Sequence, residues 1–327
     1  VSPQSSMRLV ERPIRIGVFG AGALGRHHTR ILSQHPGAQL VGIHDPHRAT
    51  ADAVAAEHGC SVFDDAQDLA GKIEAAVVAS PTTTHAEVGA RLLRAGIHVL
   101  VEKPIASSLE EADRLLEAAA SRGRVLAVGH VEFFNPAVQE LLAATLAVLA
   151  PPRFLEVQRL AVFTPRSLDV DVVLDLMIHD LDLALSLARS EVTAVGASGF
   201  RVLTNDIDIA NARIEFANGC VASLSASRVS QAAVRKLRVF QPDLYVSADL
   251  QAGRLRYVRR QDGVLAETEE THEGNDALAE QARAFVAAAS GKAPVAVSGE
   301  HGRQALALAL EVSRLVAARL RQYGEKK

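Results

Sequence analysis

Residues Ile14 to Gly25 read IRIGVFGAGALG, and GRHHTRILSQH (Gly25–His35) continues from the last of them. The first seven residues read as a buried strand and the second stretch as a helix. Between them, Gly20-Ala-Gly22-Ala23-Leu24-Gly25 has G-x-G-x-x-G spacing. Three glycines so placed permit a tight turn, close backbone approach to a pyrophosphate, and close helix–strand packing. The helix then offers its first N–H groups and its positive dipole end to the phosphates. A second strand is predicted over AQLVGIHD (Ala38–Asp45). It places Asp45, 20 residues beyond Gly25, where an acid bonds the adenosine ribose hydroxyls. A carboxylate there repels the 2′-phosphate of NADP and favours NAD, while Arg48 nearby argues the other way and keeps NADP open.

Outward from this segment the alternation continues. Helix Arg48–His58, strand AAVVAS (Ala75–Ser80), helix Ala86–Ala95, strand HVLVEK (His98–Lys103), helix Leu109–Arg122 and strand VLAVGH (Val125–His130) follow in order. Such alternation predicts βαβ crossovers and a parallel sheet covered on both faces, with ligands beyond the carboxyl ends of its strands. After Asn135–Pro136 the pattern changes: helix Ala137–Leu149, strand Arg153–Phe163, helix Asp171–Arg189, then nearly unbroken strand-like sequence from Val192 to about Leu265. Turn signals such as Asn218–Gly219 and Ala252–Gly253 divide that stretch, so it predicts an antiparallel sheet. Helices over Asn275–Ser290 and His301–Tyr323 close the chain.

The expected architecture is a leader (1–13), an α/β Rossmann domain with a doubly wound parallel sheet (14–130), and an α+β domain with a large, mostly antiparallel, open-faced sheet (131–327). The C-terminal helix is expected to pack back on the first domain. Val221, Leu224 and Val239 are expected on the sheet's open face, where apolar residues call for burial between subunits.

Composition fits this picture. A chain of 327 residues suggests about two domains, and 48% apolar with 22% charged residues excludes wholesale disorder. Thirty-five basic against 38 acidic residues leave a charge of −3, without the positive field that gathers nucleic acid or an acidic membrane. No stretch reaches the roughly 18 apolar residues of a membrane span. Val1–Pro13 is polar and lacks the apolar stretch of a signal peptide. It reads as a loose leader with Met7 as an alternative start, and the cytoplasm is the expected compartment. Cys60 and Cys220 stand apart, which argues against a disulfide framework or a zinc ribbon.

Two further clusters carry chemistry. Val101-Glu102-Lys103-Pro104 ends a strand on the side where ligands bind. A lysine at a strand end is most often a solvated edge residue. A partly desolvated Lys103 beside a positive nicotinamide would instead donate to a substrate oxygen, with Glu102 bonding the lysine or a ribose. In Asp171-Val-Val-Leu-Asp175-Leu-Met-Ile-His179-Asp180-Leu-Asp182, Asp175 and His179 are four apart and share a helix face. A carboxylate beside an imidazole makes a general base, although an ordinary surface ion pair has the same spacing. Asp182 fits a structural hydrogen-bonding role. A metal held by Asp175, His179 and Asp182 is the weaker reading, and no metal is expected.

Taken together, GAGALGRHH, EKP after AGIHVLV, and DLMIHDLD resemble the glucose–fructose oxidoreductase / inositol dehydrogenase (Gfo/Idh/MocA) family across nearly the whole chain. The resemblance implies a catalytic group of Lys103, Asp175 and His179, and a cofactor-contacting loop at Ser80-Pro81-Thr82-Thr83-Thr84-His85, with Thr82 and His85 as its contacts. GHVEFFNPA (Gly129–Ala137) and the following FTPRSLDVDVVLDLMIHDLDL are similar to the family's nucleotide-sugar branch. That branch oxidises C3 of UDP-N-acetylglucosamine or its uronic acid. It usually reads GHVERFNP, so Phe133 stands where an arginine is expected, while Met177 in place of glycine is shared with the branch. Arg159, Arg166 and Lys236 are candidates to supply charge for a diphosphate, and equally read as surface residues. The implied function is NAD-dependent oxidation of a sugar hydroxyl by a homodimer or homotetramer assembled through the C-terminal sheet. An NADPH-dependent keto-sugar or small-carbonyl reductase, and a non-catalytic dinucleotide-sensing regulator, are the alternatives.

Overall fold

The computed structural model describes residues 12–148, 150–164, 170–272, 274 and 276–322. Two units divide it: residues 12–102, 115–127 and 282–296 form one, and the described residues of 103–114, 128–281 and 297–322 form the other.

In the first unit the apolar runs become β1 (Ile14–Phe19), β2 (Ala38–His44), β3 (Ser61–Val62), β4 (Ala75–Val78), β5 (His98–Glu102) and β6 (Leu126–Gly129). Helices α1 (Ala23–Gln34), α2 (Arg48–His58), α3 (Ala66–Ala70) and α4 (Thr82–Arg94) connect them, and α5 (Leu109–Arg122) between β5 and β6 belongs to this unit from Leu115 onward. The sheet order is β3-β2-β1-β4-β5-β6, with β1 parallel to both β2 and β4. All four residues of β4 are buried, as expected of a strand covered on both faces. The order reverses between β1 and β4, which makes the carboxyl ends of these strands, carrying Gly20 and Ser80, the ligand crevice. Strand β3 and helix α3 escaped the sequence reading because two and five residues are too few to show a period.

The second unit holds α6 (Pro136–Leu146), β7 (Phe154–Leu160), a π-helical turn (Val173–Met177) running into α7 (Ile178–Ala188), and β8 (Val192–Phe200). Strands β9 (Ile209–Phe216), β10 (Val221–Ser227), β11 (Val234–Gln241), β12 (Leu244–Asp249), β13 (Arg254–Gln261) and β14 (Val264–Thr271) follow. Helix α8 (Ala277–Ala289), whose residues from Ala282 belong to the first unit, precedes α9 (Gly299–Gln322), which packs on β8 and α7. The eight strands run β14-β13-β12-β11-β7-β10-β9-β8, antiparallel except for the β7–β10 pair. Strand β14 extends beyond the expected limit near Leu265. Its sequence VLAETEET is exposed throughout, a polar edge without the alternation that marks a half-buried strand.

One face of this sheet closes the core. Leu155, Val157, Leu224, Val239 and Val246 are at most 2% exposed and join Met177, Ile178, Leu181 and the apolar side of α9. This corrects the expectation for the open face: Leu224 and Val239 point into the core, and of the three named residues only Val221 alternates to the other side. The open face instead carries polar groups such as the Glu156–Arg238 ion pair at 2.7 Å, and a ring cluster of Phe154, Phe240 and Tyr245 with centroids 5.7 and 4.9 Å apart.

Candidate active site

In the first unit the three glycines do different work. Gly20 leaves β1 at φ +104°, and a Cβ there would meet the Ala79 carbonyl oxygen at 2.6 Å. A Cβ on Gly25 would lie 1.8 Å from the Gly20 carbonyl oxygen, so α1 is pressed against the turn. Nothing lies within 4 Å of the Cβ position of Gly22. Gly22, Ala23 and Leu24 are exposed, and the N-cap of α1 is a glycine that brings no capping side chain. The outer glycines shape the turn, and the middle one keeps clear the cradle before the helix N-terminus that a pyrophosphate fills. These residues fit a dinucleotide.

Asp45 accepts hydrogen bonds from the Ala21 N–H at 2.6 Å and the His47 N–H at 2.8 Å, which ties the end of β2 to the glycine turn. Arg48, the residue that argued for NADP, is engaged by Asp52 at 2.8 Å and by Asp64. In the loop after β4, the Ser80 and Thr84 hydroxyls bond each other at 2.6 Å, and Thr82 begins α4 half-buried. His85 is 1% exposed and donates from Nε2 to the Ser80 carbonyl at 2.9 Å, bracing the loop from within. The sequence offered Glu102 the lysine or a ribose as partner. In the structure it bonds His28, with Nε2 and Oε1 2.7 Å apart and both residues buried.

The second unit brings Lys103, Asp175 and His179 into one neighbourhood. The Lys103–Pro104 peptide bond is cis. Lys103 Nζ donates to the Asp175 carbonyl oxygen at 2.8 Å and lies 3.5 Å from its carboxylate. The expected Asp175–His179 bond is not formed. The π-helical turn widens the backbone where a regular helix was expected, and Asp175 is committed to the lysine. His179 is half-buried, and its Nδ1 is buried with no hydrogen-bond partner among the described residues. Its imidazole titrates well below the ordinary range because burial disfavours the charged ring and because Lys103, Arg159, His130 and Arg235 all act against a proton on it. The ring stands edge-on to His130, with centroids 6.2 Å apart.

Around this group lies a buried ionic network. Arg159, 4% exposed, donates from Nε to Asp180 Oδ1 at 2.9 Å and from Nη1 to Glu132 Oε1 at 2.8 Å. Arg235, from β11, adds a 3.2 Å bond to the same Glu132 oxygen. Asp182 is fully buried, 2.6 Å from His301 Nε2 on α9 and 3.9 Å from His130 Nδ1, and its charge raises the titration of His301 above the usual imidazole value.

Two of the three residues suggested for a diphosphate are corrected here. Arg159 is locked between carboxylates, and Lys236 alternates to the opposite face of the sheet from Arg159 and Arg235. Arg166 lies outside the described residues. Phe133 packs against the core rather than supplying charge. Sequence reasoning missed His28, Glu132, Asp180, His130, Arg235 and His301 as site neighbours. Glu132 and Asp180 sat inside quoted motifs, whereas Arg235 and His301 are brought in only by the tertiary fold. Among the described residues, no group of three or more His, Cys, Asp or Glu side chains is arranged to hold a metal.

Comparison with known proteins agrees with this geometry. Over residues 14–130 the chain matches the Gfo/Idh/MocA oxidoreductase family with its NAD-binding Rossmann fold, and over residues 151–241 the C-terminal domain of the same family. It is 39% identical to a UDP-N-acetylglucosamine 3-dehydrogenase of Acidithiobacillus ferrooxidans over 94% of this chain and 99% of that one. The solved structure of that enzyme superposes with a TM-score of 0.88 at the same identity and coverage. An inositol 2-dehydrogenase of Rhizobium meliloti is 29% identical over 93% of this chain and 97% of its own length. A six-stranded Rossmann sheet, an eight-stranded mostly antiparallel sheet and these matches across both place the chain in the Gfo/Idh/MocA family of NAD-dependent oxidoreductases.

Proposed function

We propose that the chain oxidises a secondary hydroxyl of a nucleotide sugar, at C3 of a UDP-N-acetylglucosamine-like substrate, leaving a ketone, NADH and a proton. The observation that carries this reading is that Lys103, held by Asp175, shares a neighbourhood with the half-buried His179 ring, whose titration burial and nearby charge push well below the ordinary value. A neutral imidazole accepts the hydroxyl proton, and because Nδ1 is buried, Nε2 is the nitrogen left for substrate. Lys103, oriented by the Asp175 carbonyl and carboxylate, stabilises the developing alkoxide. NAD, when bound, supplies the nicotinamide carbon that takes the hydride. The glycine turn and Asp45 would hold its pyrophosphate and ribose, with Ser80 and Thr82 on the adjoining loop.

The similarity to a UDP-N-acetylglucosamine 3-dehydrogenase supports the substrate class. Pairing of Arg48 with Asp52 and Asp64 weighs against an NADPH-dependent reductase, and the presence of both Lys103 and His179 weighs against a pure sensor. No helix among the described residues is long and apolar enough to cross a membrane, and the cytoplasm is the compartment we propose. We also propose assembly as a dimer or tetramer through the open sheet face, and a domain division near residue 130. Following NADH formation with UDP-N-acetylglucosamine, its uronic acid and myo-inositol tests the reaction. Turnover with the UDP-sugars is expected, and turnover with inositol alone would overturn the substrate.

A further inference from the structure

Arg159 is the centre of a cluster that the reaction as described does not use. From β7 its guanidinium reaches Asp180 through Nε at 2.9 Å and Nη2 at 2.8 Å, and Glu132 through Nη1 at 2.8 Å. Asp180 is 1% exposed and Glu132 6%. A network this deep is weak evidence for stability, because apolar residues of similar volume would hold the same elements together at less desolvation cost. Its placement points to another role. Asp180 follows His179 in the chain, so whatever grips Asp180 fixes the start of α7 and the ring beside it.

The charges around His179 are arranged one way. Lys103 beyond β5, His130 beyond β6, Arg159 on β7 and Arg235 on β11 all oppose a proton on its ring. Each nearby carboxylate is engaged elsewhere: Asp175 by Lys103, Asp180 by Arg159, Glu132 by Arg159 and Arg235, and Asp182 by His301 of α9. Among the described residues none of these acids bonds His179.

Resting on the assignment of His179 as base, we propose that Arg159 is a positioning residue for it: the guanidinium holds Asp180 and Glu132 in one grip, fixes the histidine through its chain neighbour, and together with Arg235 sets positive charge against the ring. The planar fork presents Nε and Nη2 to Asp180 and Nη1 to Glu132 at the same time, a bidentate geometry that a lysine's point charge does not reproduce.

Two variants separate the parts. Arg159→Lys keeps the charge and loses the fork. It is expected to lower kcat/KM by about a hundredfold through misplacement of the base, with NADH affinity and the acid limb of the pH profile unchanged. Arg235→Gln, at a half-exposed site and with Glu132 still held by Arg159, removes one opposing charge. It is expected to move the titration of His179 up by about half a pH unit. That titration is read both from the acid limb of kcat/KM and from the imidazole NMR resonance that disappears in His179→Gln. Wild-type kcat/KM in Arg159→Lys, or an unmoved resonance in Arg235→Gln, would overturn the proposal. Retained turnover in His179→Ala would overturn the assignment of the base instead, and the NMR shift in Arg235→Gln would still report on the charge arrangement.

Discussion

His179 is poised by what surrounds it rather than by one partner. Burial, then the charges of Lys103 and Arg159, His130 beside it and the charge of Arg235 push its imidazole titration well below the ordinary value. A base must be neutral to accept a proton, so kcat/KM is expected to stay flat as the pH falls through 6.5, the ordinary imidazole value, and to decline only well below it. A pH–rate profile with its acid limb at or above 6.5 would contradict this. The same depression has a sign for stability: just below 6.5 the unfolded chain binds a proton that folded His179 refuses, so this group weakens the fold as the medium becomes more acidic. His301 acts oppositely, because its titration is raised by Asp182 and its contribution fades as the pH rises through its folded value. That Lys103, Asp175 and His179 share one neighbourhood was expected from their motifs. Their pairing could not be read there, because a π-helical turn leaves no mark in a four-residue spacing.

At the scale of elements, the β1–α1 turn is the most legible part of the chain, because glycine spacing, strand and helix all agree. The structure adds which glycine does what. Gly25→Ala drives a methyl into the Gly20 carbonyl and is expected to lower Tm by about 4 °C or more. Gly22→Ala meets open space, so it should fold with unchanged Tm yet bind NADH about tenfold more weakly. Thermal melts and fluorescence titration of NADH on the two variants check the contrast, and equal effects on both properties would contradict it. The later strands were legible as strands but not by face. Leu224 and Val239 point inward, and only the alternation seen in the folded β10 and β11 decides that. Strand β14 was invisible beyond Leu265 because its residues face water throughout.

At the scale of the whole molecule, alternation followed by consecutive strands was sufficient to foresee a parallel sheet and a mostly antiparallel one. The β7–β10 parallel pair was not foreseeable, because nothing local marks the partner of a strand. The open face of the larger sheet combines the Phe154–Phe240–Tyr245 rings with ion pairs, a mixture suited to a subunit interface. Light scattering at micromolar concentration is expected to report a dimer or tetramer, and Phe240→Glu a smaller species. A wild-type monomer would contradict the assembly. The central claim is that Lys103 and His179 act on the hydroxyl proton of a nucleotide sugar while the glycine turn holds the cofactor independently of them. It is tested most directly by measuring turnover of Lys103→Ala and His179→Ala on UDP-N-acetylglucosamine alongside their NADH affinity. Each variant is expected to lose about 10²–10⁴-fold in kcat with NADH binding unchanged, whereas wild-type turnover in both would contradict the account.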